Sequence, residues 1–275
     1  MDKEIEKRLF NENPLTEALY KSAIYSVSGG KRIRAIFAYL LADLFEIPKE
    51  KMLHTACALE LVHAASLIMD DLPYMDDAQL RRGKPANHVV FGQDVALLAS
   101  IGLISEAAKI TLTDPHLNAD ERSQITAALT ASYGFDGLAS GQFVDLKLKR
   151  KNIDFEIIEF INRMKTAALF TAAAKMTAII GKATTEQVQA LEIYSRHLGV
   201  AFQIIDDMLD IAGDEKTIGK QPGQDKMNFV KLVGKEKAEQ YLQEYHEKAL
   251  KALDVFEEKA KAVKQFSEYL ITRVR

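Results

Sequence analysis

Six aspartates in two short runs, Asp70-Asp71-Leu72-Pro73-Tyr74-Met75-Asp76 and Asp206-Asp207-Met208-Leu209-Asp210, carry the most pointed chemistry in this chain. Each run closes an apolar stretch. Carboxylates this close repel one another and resist leaving water, so they persist in a cleft only where a cation or a basic ligand balances them. Oxygen donors without His or Cys beside them suit a hard ion such as magnesium. A single run of this kind is commonly a solvated helix end; two of them, both behind apolar segments, argue for a site.

Spacing separates the two runs. Asp206 and Asp210 are four residues apart, about 40° around a helix and about 6 Å along it, so both project from one face and one metal can bridge them. Gln203 lies one turn earlier on nearly the same stripe. The first run cannot be one regular helix, because Pro73 disfavours helical geometry at Leu72 and lacks a donor. A helix ending near Asp71, followed by a turn that returns Asp76 toward Asp70, would form a cup of carboxylates, with Asp77 either joining it or facing solvent. His63 precedes Asp70 by two turns and lies about 10 Å below it on the same face.

Basic residues gather beside both runs, in Gly29-Gly30-Lys31-Arg32-Ile33-Arg34 and in Arg81-Arg82-Gly83-Lys84-Pro85. Magnesium-type carboxylates with Arg and Lys nearby describe a diphosphate ligand, metal ions bridging acid to phosphate and the cations clamping the rest. The Walker A and dinucleotide glycine patterns are absent, so the ligand is not handled as a nucleotide.

Helices must position these groups. Apolar residues recur at three and four residue spacing between most of the six prolines, and the expected helices cover about 15–27, 33–46, 49–70, 91–112, 120–149, 155–181, 185–212 and 235–273. Thr184-Thr185-Glu186-Gln187 reads as a capping box that starts the helix carrying the second acidic run. Strand alternation is hardly visible. The segments 95–104 and 167–180 are apolar around most of their circumference, which suits the interior of a large helical assembly. The 235–264 stretch alternates Lys and Glu around spaced apolar residues, as an outer amphipathic helix does.

Composition narrows the class. The 275 residues are 48% hydrophobic and 27% charged, as in an ordinary globular protein with a large core. Balanced charge, 36 basic against 39 acidic residues, offers no general field for nucleic acid, so nucleic-acid binding is not expected. The lone cysteine, Cys57, sits in an apolar run and reads as a small buried residue. A charged N-terminus and no uninterrupted apolar run of about 18 residues make a cytoplasmic protein without an integral membrane segment the expectation.

Taken together these residues resemble the trans-isoprenyl diphosphate synthases, the short-chain polyprenyl synthetases that make geranyl, farnesyl and geranylgeranyl diphosphate. The resemblance runs over about residues 28–234 and rests on the two aspartate runs, Gly29 to Arg34, Leu80 to Pro85, Gly141-Gln142-Phe143-Val144-Asp145, Lys165-Thr166 and Phe202 to Asp210. It implies an all-α isoprenoid synthase fold, one helical-bundle domain spanning residues 1–275 around a central apolar cavity, and a homodimer. Asp70, Asp71 and Asp76, with Asp206 and Asp210, would hold magnesium, three ions per active site, on the allylic diphosphate. Arg81, Lys165, Lys220 and Lys226 would complete that diphosphate's clamp, and Lys31, Arg34, His63 and Arg82 would bind isopentenyl diphosphate. Thr166 and Gln203 would face the allylic cation, so Lys165, Thr166 and Gln203 form the expected catalytic group. Two departures from the family pattern stand out: Ala35 replaces the usual proline after the first basic motif, and the segment after Asp225 is about four residues short.

The implied reaction is ionisation, condensation and elimination with dimethylallyl, geranyl or farnesyl diphosphate as starter. No side-chain base is well placed, which leaves the departing diphosphate to accept the proton. Ala65, five residues before the first motif, is small where farnesyl-producing bacterial relatives commonly carry an aromatic; followed by the small Ser66, it leaves room for a longer chain and tilts the expected product toward twenty carbons over fifteen. A terpene cyclase shares the fold and the metals but has no need of Lys31, Arg34 and Arg82. A noncatalytic regulatory subunit has no need of intact acidic clusters.

Overall fold

The computed structural model describes residues 1–147, 154–212 and 228–272, and Lys220 and Lys226 therefore lie outside the described residues. The helices that build the site are α1 (Asp2–Arg8), α2 (Glu17–Val27), α3 (Ile33–Asp43), α4 (Lys49–Asp70), α5 (Asn87–Phe91), α6 (Gln93–Leu112), α7 (Ala119–Tyr133), α8 (Leu138–Lys147), α9 (Phe155–Ile161), α10 (Ala168–Ile180) and α11 (Thr185–Ala212). Helix Phe229–Val233, the outer helix Lys235–Ala252, a 3₁₀ stretch Leu253–Ala260 and the helix Lys261–Thr272 follow. The all-α expectation holds.

Helix α4 is central because its sequence offers little solvent-compatible surface. Met52, Ala56, Leu59, Leu61, Ala65 and Ile68 are all buried, and the helix packs along α6, α3 and α10. Phe37, Phe170 and Tyr194 close the core from α3, α10 and α11, with Phe37 edge-on to Phe170 at 5.1 Å between centroids. A second core of Ile158, Ile204, Ile205, Phe229 and Tyr245 lies under the far end of α11, where the outer helix packs.

Several boundaries differ from the expected ones. The long helix expected over 120–149 breaks between Tyr133 and Leu138, where Gly134 and Gly137 bracket the turn. Helix 155–181 contains a π-helical turn, Asn162–Ala167, and the last helix is divided by the 3₁₀ stretch, inside which Glu257 has φ 50°. Helix α1 was not expected. Nor was the antiparallel hairpin Leu80–Arg81 with Lys84–Pro85, whose strands of two residues are too short to show alternation. The capping box is present: Thr184 N–H donates to Gln187 Oε1 at 2.9 Å and Gln187 N–H to Thr184 Oγ1 at 3.3 Å.

Two helices, α4 and α6, are long and apolar enough to cross a membrane by length and composition. Helix α4 is an interior helix, whereas α6 leaves Leu97, Leu98 and Ile101 at the surface. Cys57 is fully buried, as expected, and burial pushes its thiol up to about 12.

Candidate active site

Pro73 shapes the first cluster as its geometry requires. Helix α4 ends at Asp70, and the chain turns so that Asp76 N–H donates to the Asp70 carbonyl at 2.9 Å and Ala78 N–H to the Asp71 carbonyl at 3.2 Å. Asp70 is half-buried, and burial, reinforced by the charge of Asp76, pushes its carboxyl up to about 6 despite the opposing pull of Lys165. Asp71 faces the other way. It is 2% exposed, and its oxygens accept from Arg81 Nε at 3.0 and 3.1 Å, with Arg81 Nη2 donating to Oδ1 as well. Expected among the cation ligands, Asp71 instead has both oxygens engaged by a guanidinium; two consecutive helical side chains point about 100° apart, so only one of the pair can face the cleft.

The hairpin explains how two adjacent arginines serve different partners. Arg82 and Gly83 form its two-residue turn with φ 55° and 72°, the left-handed pair that a tight hairpin demands. Arg81 reaches Asp71, while Arg82 Nη1 donates to the Ser26 carbonyl at the end of α2 at 3.4 Å.

Lys165 and Thr166 sit on the π-helical turn, a geometry that re-aims side chains within a helix. Two glycines allow it to be gripped from both sides. A Cβ on Gly141 would lie 2.7 Å from Lys165 N, and one on Gly199 would lie 2.4 Å from the Ala167 Cβ, so α8 and α11 both approach the turn backbone to backbone. Close approach of α8 brings Asp145 within 2.8 Å of Lys165 Nζ. Burial works against the lysine's charge, but Asp70, Asp145 and Asp76 outweigh it and hold the ammonium well above its usual range.

From this turn a line of hydrogen bonds runs into the second cluster. Thr166 Oγ1 donates to Gln203 Oε1 at 2.5 Å, and Gln203 Nε2 donates to Asp207 Oδ1 at 2.8 Å. Asp207, 2% exposed, also accepts from Phe229 N–H at 2.7 Å, and Asn228 Nδ2 donates to the Asp207 carbonyl at 2.9 Å. Asp206 and Asp210 share the α11 face, as their spacing requires. Asp145 and Asp207 were not among the expected site residues. Both lay inside motifs, yet only the fold shows that one anchors Lys165 and the other orients Gln203.

The remaining basic residues form a separate group. His63 is held well below its usual range by burial and by Arg34, Arg82, Arg81 and Arg32 around it, so it is a neutral ring among cations. Arg34 lies over the Phe170 ring at 5.5 Å, and Lys31 is exposed on the preceding loop. Ala35, in place of the family's usual proline, uses the N–H a proline would lack: it donates to Glu60 Oε1 at 3.1 Å.

The donor set fits magnesium. Asp70, Asp76, Asp206 and Asp210 offer hard oxygens only, and the Asp70 carboxyl, pushed up by burial and by the charge of Asp76, is one that a cation would hold ionised. Among the described residues no three such groups converge tightly enough to enclose a metal by themselves. Magnesium usually takes one or two carboxylates and completes its shell with water and substrate phosphate. Ala65 is fully buried and Ser66 Oγ donates back to the His63 carbonyl at 2.9 Å, so both stand on the helix beneath the first cluster.

Comparisons with known proteins place the chain in a family. The polyprenyl synthetase family profile matches residues 16–270. A dimethylallyltranstransferase of Fischerella ambigua is 39% identical over 264 residues, covering 94% of this chain and 76% of the relative. A farnesyl diphosphate synthase of Bacillus subtilis is 37% identical over 217 residues, covering 78% and 73%. An apo crystal structure of a FPP/GFPP synthase from Zymomonas mobilis superposes with a TM-score of 0.89 at 31% identity, covering 98% of this chain and 94% of that one. Chain-elongating synthases of this kind give no support to the terpene cyclase or regulatory-subunit readings. With fold, aspartate clusters and relatives in agreement, the chain belongs to the polyprenyl synthetase family as a short-chain trans-prenyltransferase.

Proposed function

We propose that the enzyme condenses isopentenyl diphosphate with an allylic diphosphate and releases inorganic diphosphate. The carrying observation is one connected line of residues: Asp70 and Asp76 act on Lys165, Thr166 bonds to Gln203, and Gln203 bonds to Asp207 beside Asp206. A separate arginine group stands next to it. Asp70, Asp76, Asp206 and Asp210 would hold magnesium, three ions per site, and the metal would supply charge neutralisation for the departing diphosphate. Arg81, fixed by Asp71, and Lys165, fixed by Asp145, bind the allylic diphosphate, with Lys220 and Lys226 as further cations. Lys31, Arg34, His63 and Arg82 hold isopentenyl diphosphate, His63 as a neutral hydrogen-bonding ring.

The allylic carbon–oxygen bond breaks, and Thr166 Oγ1 and Gln203 Oε1 place oxygen dipoles toward the cation without trapping it. The isopentenyl double bond attacks, a new carbon–carbon bond forms, and the released diphosphate takes the proton lost from the adjacent carbon. The small Ala65 and Ser66 favour a twenty-carbon product over fifteen. The exposed apolar α6 face, Leu97, Leu98 and Ile101, fits a homodimer interface, to be read by sedimentation. The whole chain would act as one domain, and a cytoplasmic location accords with a single buried thiol.

Incubation with magnesium, isopentenyl diphosphate and each of dimethylallyl, geranyl and farnesyl diphosphate, followed by chromatography of the products, tests this reading. Geranylgeranyl diphosphate is the expected end product. Accumulation of farnesyl diphosphate would overturn the length assignment alone, and no product from any starter would overturn the function.

A further inference from the structure

The arginine group contains one buried acid that neither cation binding nor ionisation employs. Glu60 lies on α4 one turn before His63 and is 3% exposed. Its Oε1 accepts from Ala35 N–H in the first turn of α3 at 3.1 Å, and its Oε2 is 3.6 Å from Arg32 Nη1. Arg32 caps α3 in the left-handed conformation, φ 55°, and its Nε donates to Asp2 of α1 at 3.0 Å. Burial works against the charge of Arg34 and of Arg82, and in both cases Glu60 is the foremost group that restores it. One carboxylate thus touches the start of α3 and lies in the field of three guanidiniums.

Elementary electrostatics gives that placement a purpose. Guanidiniums gathered in a partly buried space repel one another, and without an opposite charge they relax toward water before any ligand arrives. A carboxylate at a helix N-terminus is itself favourable, because it meets an N–H with no partner inside the helix. We propose that Glu60 is a positioning residue for isopentenyl diphosphate, fixing the first turn of α3 and Arg32 so that Arg34 and Arg82 are assembled in advance, a role that rests on the assignment of Lys31, Arg34, His63 and Arg82 to that ligand.

Steady-state kinetics of three variants test it. Glu60→Gln keeps the shape and one acceptor while removing the charge; KM for isopentenyl diphosphate should rise about tenfold, with kcat and the allylic KM within about twofold. Ala35→Pro leaves every charge in place and removes only the donor, at a first-turn position where proline is tolerated. It should raise the same KM about threefold. An unchanged KM in Glu60→Gln overturns the proposal. So does a lowered one, because the carboxylate would then be competing with the ligand. A proportionate loss of kcat and of both affinities would indicate a general structural role and overturn it too. If Glu60→Gln does not fold by circular dichroism, Ala35→Pro decides on the same criterion. Arg34→Gln separates the two levels: if it leaves the isopentenyl KM unchanged, the ligand assignment itself fails, whereas a rise there with none in Glu60→Gln removes only the positioning role.

Discussion

The two aspartate clusters look alike in sequence and are built differently, yet they divide their labour in the same way. In each, the second aspartate of the adjacent pair is turned inward: Asp71 and Asp207 are both 2% exposed. The first of each pair, Asp70 and Asp206, is only half-buried. What the inward residue holds is where the clusters part. Asp71 grips a charged side chain, Arg81, on a hairpin. Asp207 grips a backbone N–H, Phe229, and a neutral side chain, Gln203. Among the described contacts the inward acid of the first cluster thus holds a guanidinium and that of the second holds a backbone N–H and a side-chain amide, so the same substitution should have different consequences in the two.

The largest effect is expected from the outward residues. Asp70→Ala or Asp206→Ala should lower kcat about a thousandfold, measured at saturating magnesium, because each removes charge stabilisation at the departing diphosphate. Wild-type turnover in either would abolish the proposed distinction between outward and inward acids. Next comes Asp71→Asn, which strands a guanidinium that is only a quarter exposed. It should cost about 2 kcal/mol of stability in denaturant unfolding and raise the allylic KM more than tenfold.

Asp207→Asn should be milder. One amide hydrogen must then face either Phe229 N–H or Gln203 Nε2, costing about 1 kcal/mol and lowering kcat about tenfold through a misdirected Gln203. If Asp207→Asn destabilises more than Asp71→Asn in the same unfolding experiment, the contrast between charged and neutral framing is wrong. Smallest in rate is Ala65→Tyr, beneath the first cluster alone. Chromatography should show products shortened to fifteen carbons at nearly unchanged turnover, and an unaltered product would remove Ala65 from length control.

Much of this frame was legible in the residues. Pro73 announced where α4 ends and that Asp76 must fold back, and the four-residue spacing put Asp206 and Asp210 on one face. The capping box at Thr184 marked the start of α11. The inward partners were not legible, because helical spacing gives the angle between Asp70 and Asp71 but not which of the two meets Arg81. That choice comes from a hairpin with strands of two residues, below the length at which alternation registers. The π-helical turn was not legible for a similar reason: Gly141 and Gly199 approach it from other helices, a tertiary fact. Glu60 carried no signal in the residues, because the first turn of α3 and Arg32 meet it only in the fold.

Magnesium dependence of turnover separates the outward acids from the inward ones most directly. Activity titrated with magnesium should show half-saturation shifted at least tenfold upward in Asp76→Ala, while Asp71→Asn and Asp207→Asn stay within about threefold of wild type. Equal upward shifts in all three variants would contradict the division of each cluster into acids that hold cations and acids that hold the frame.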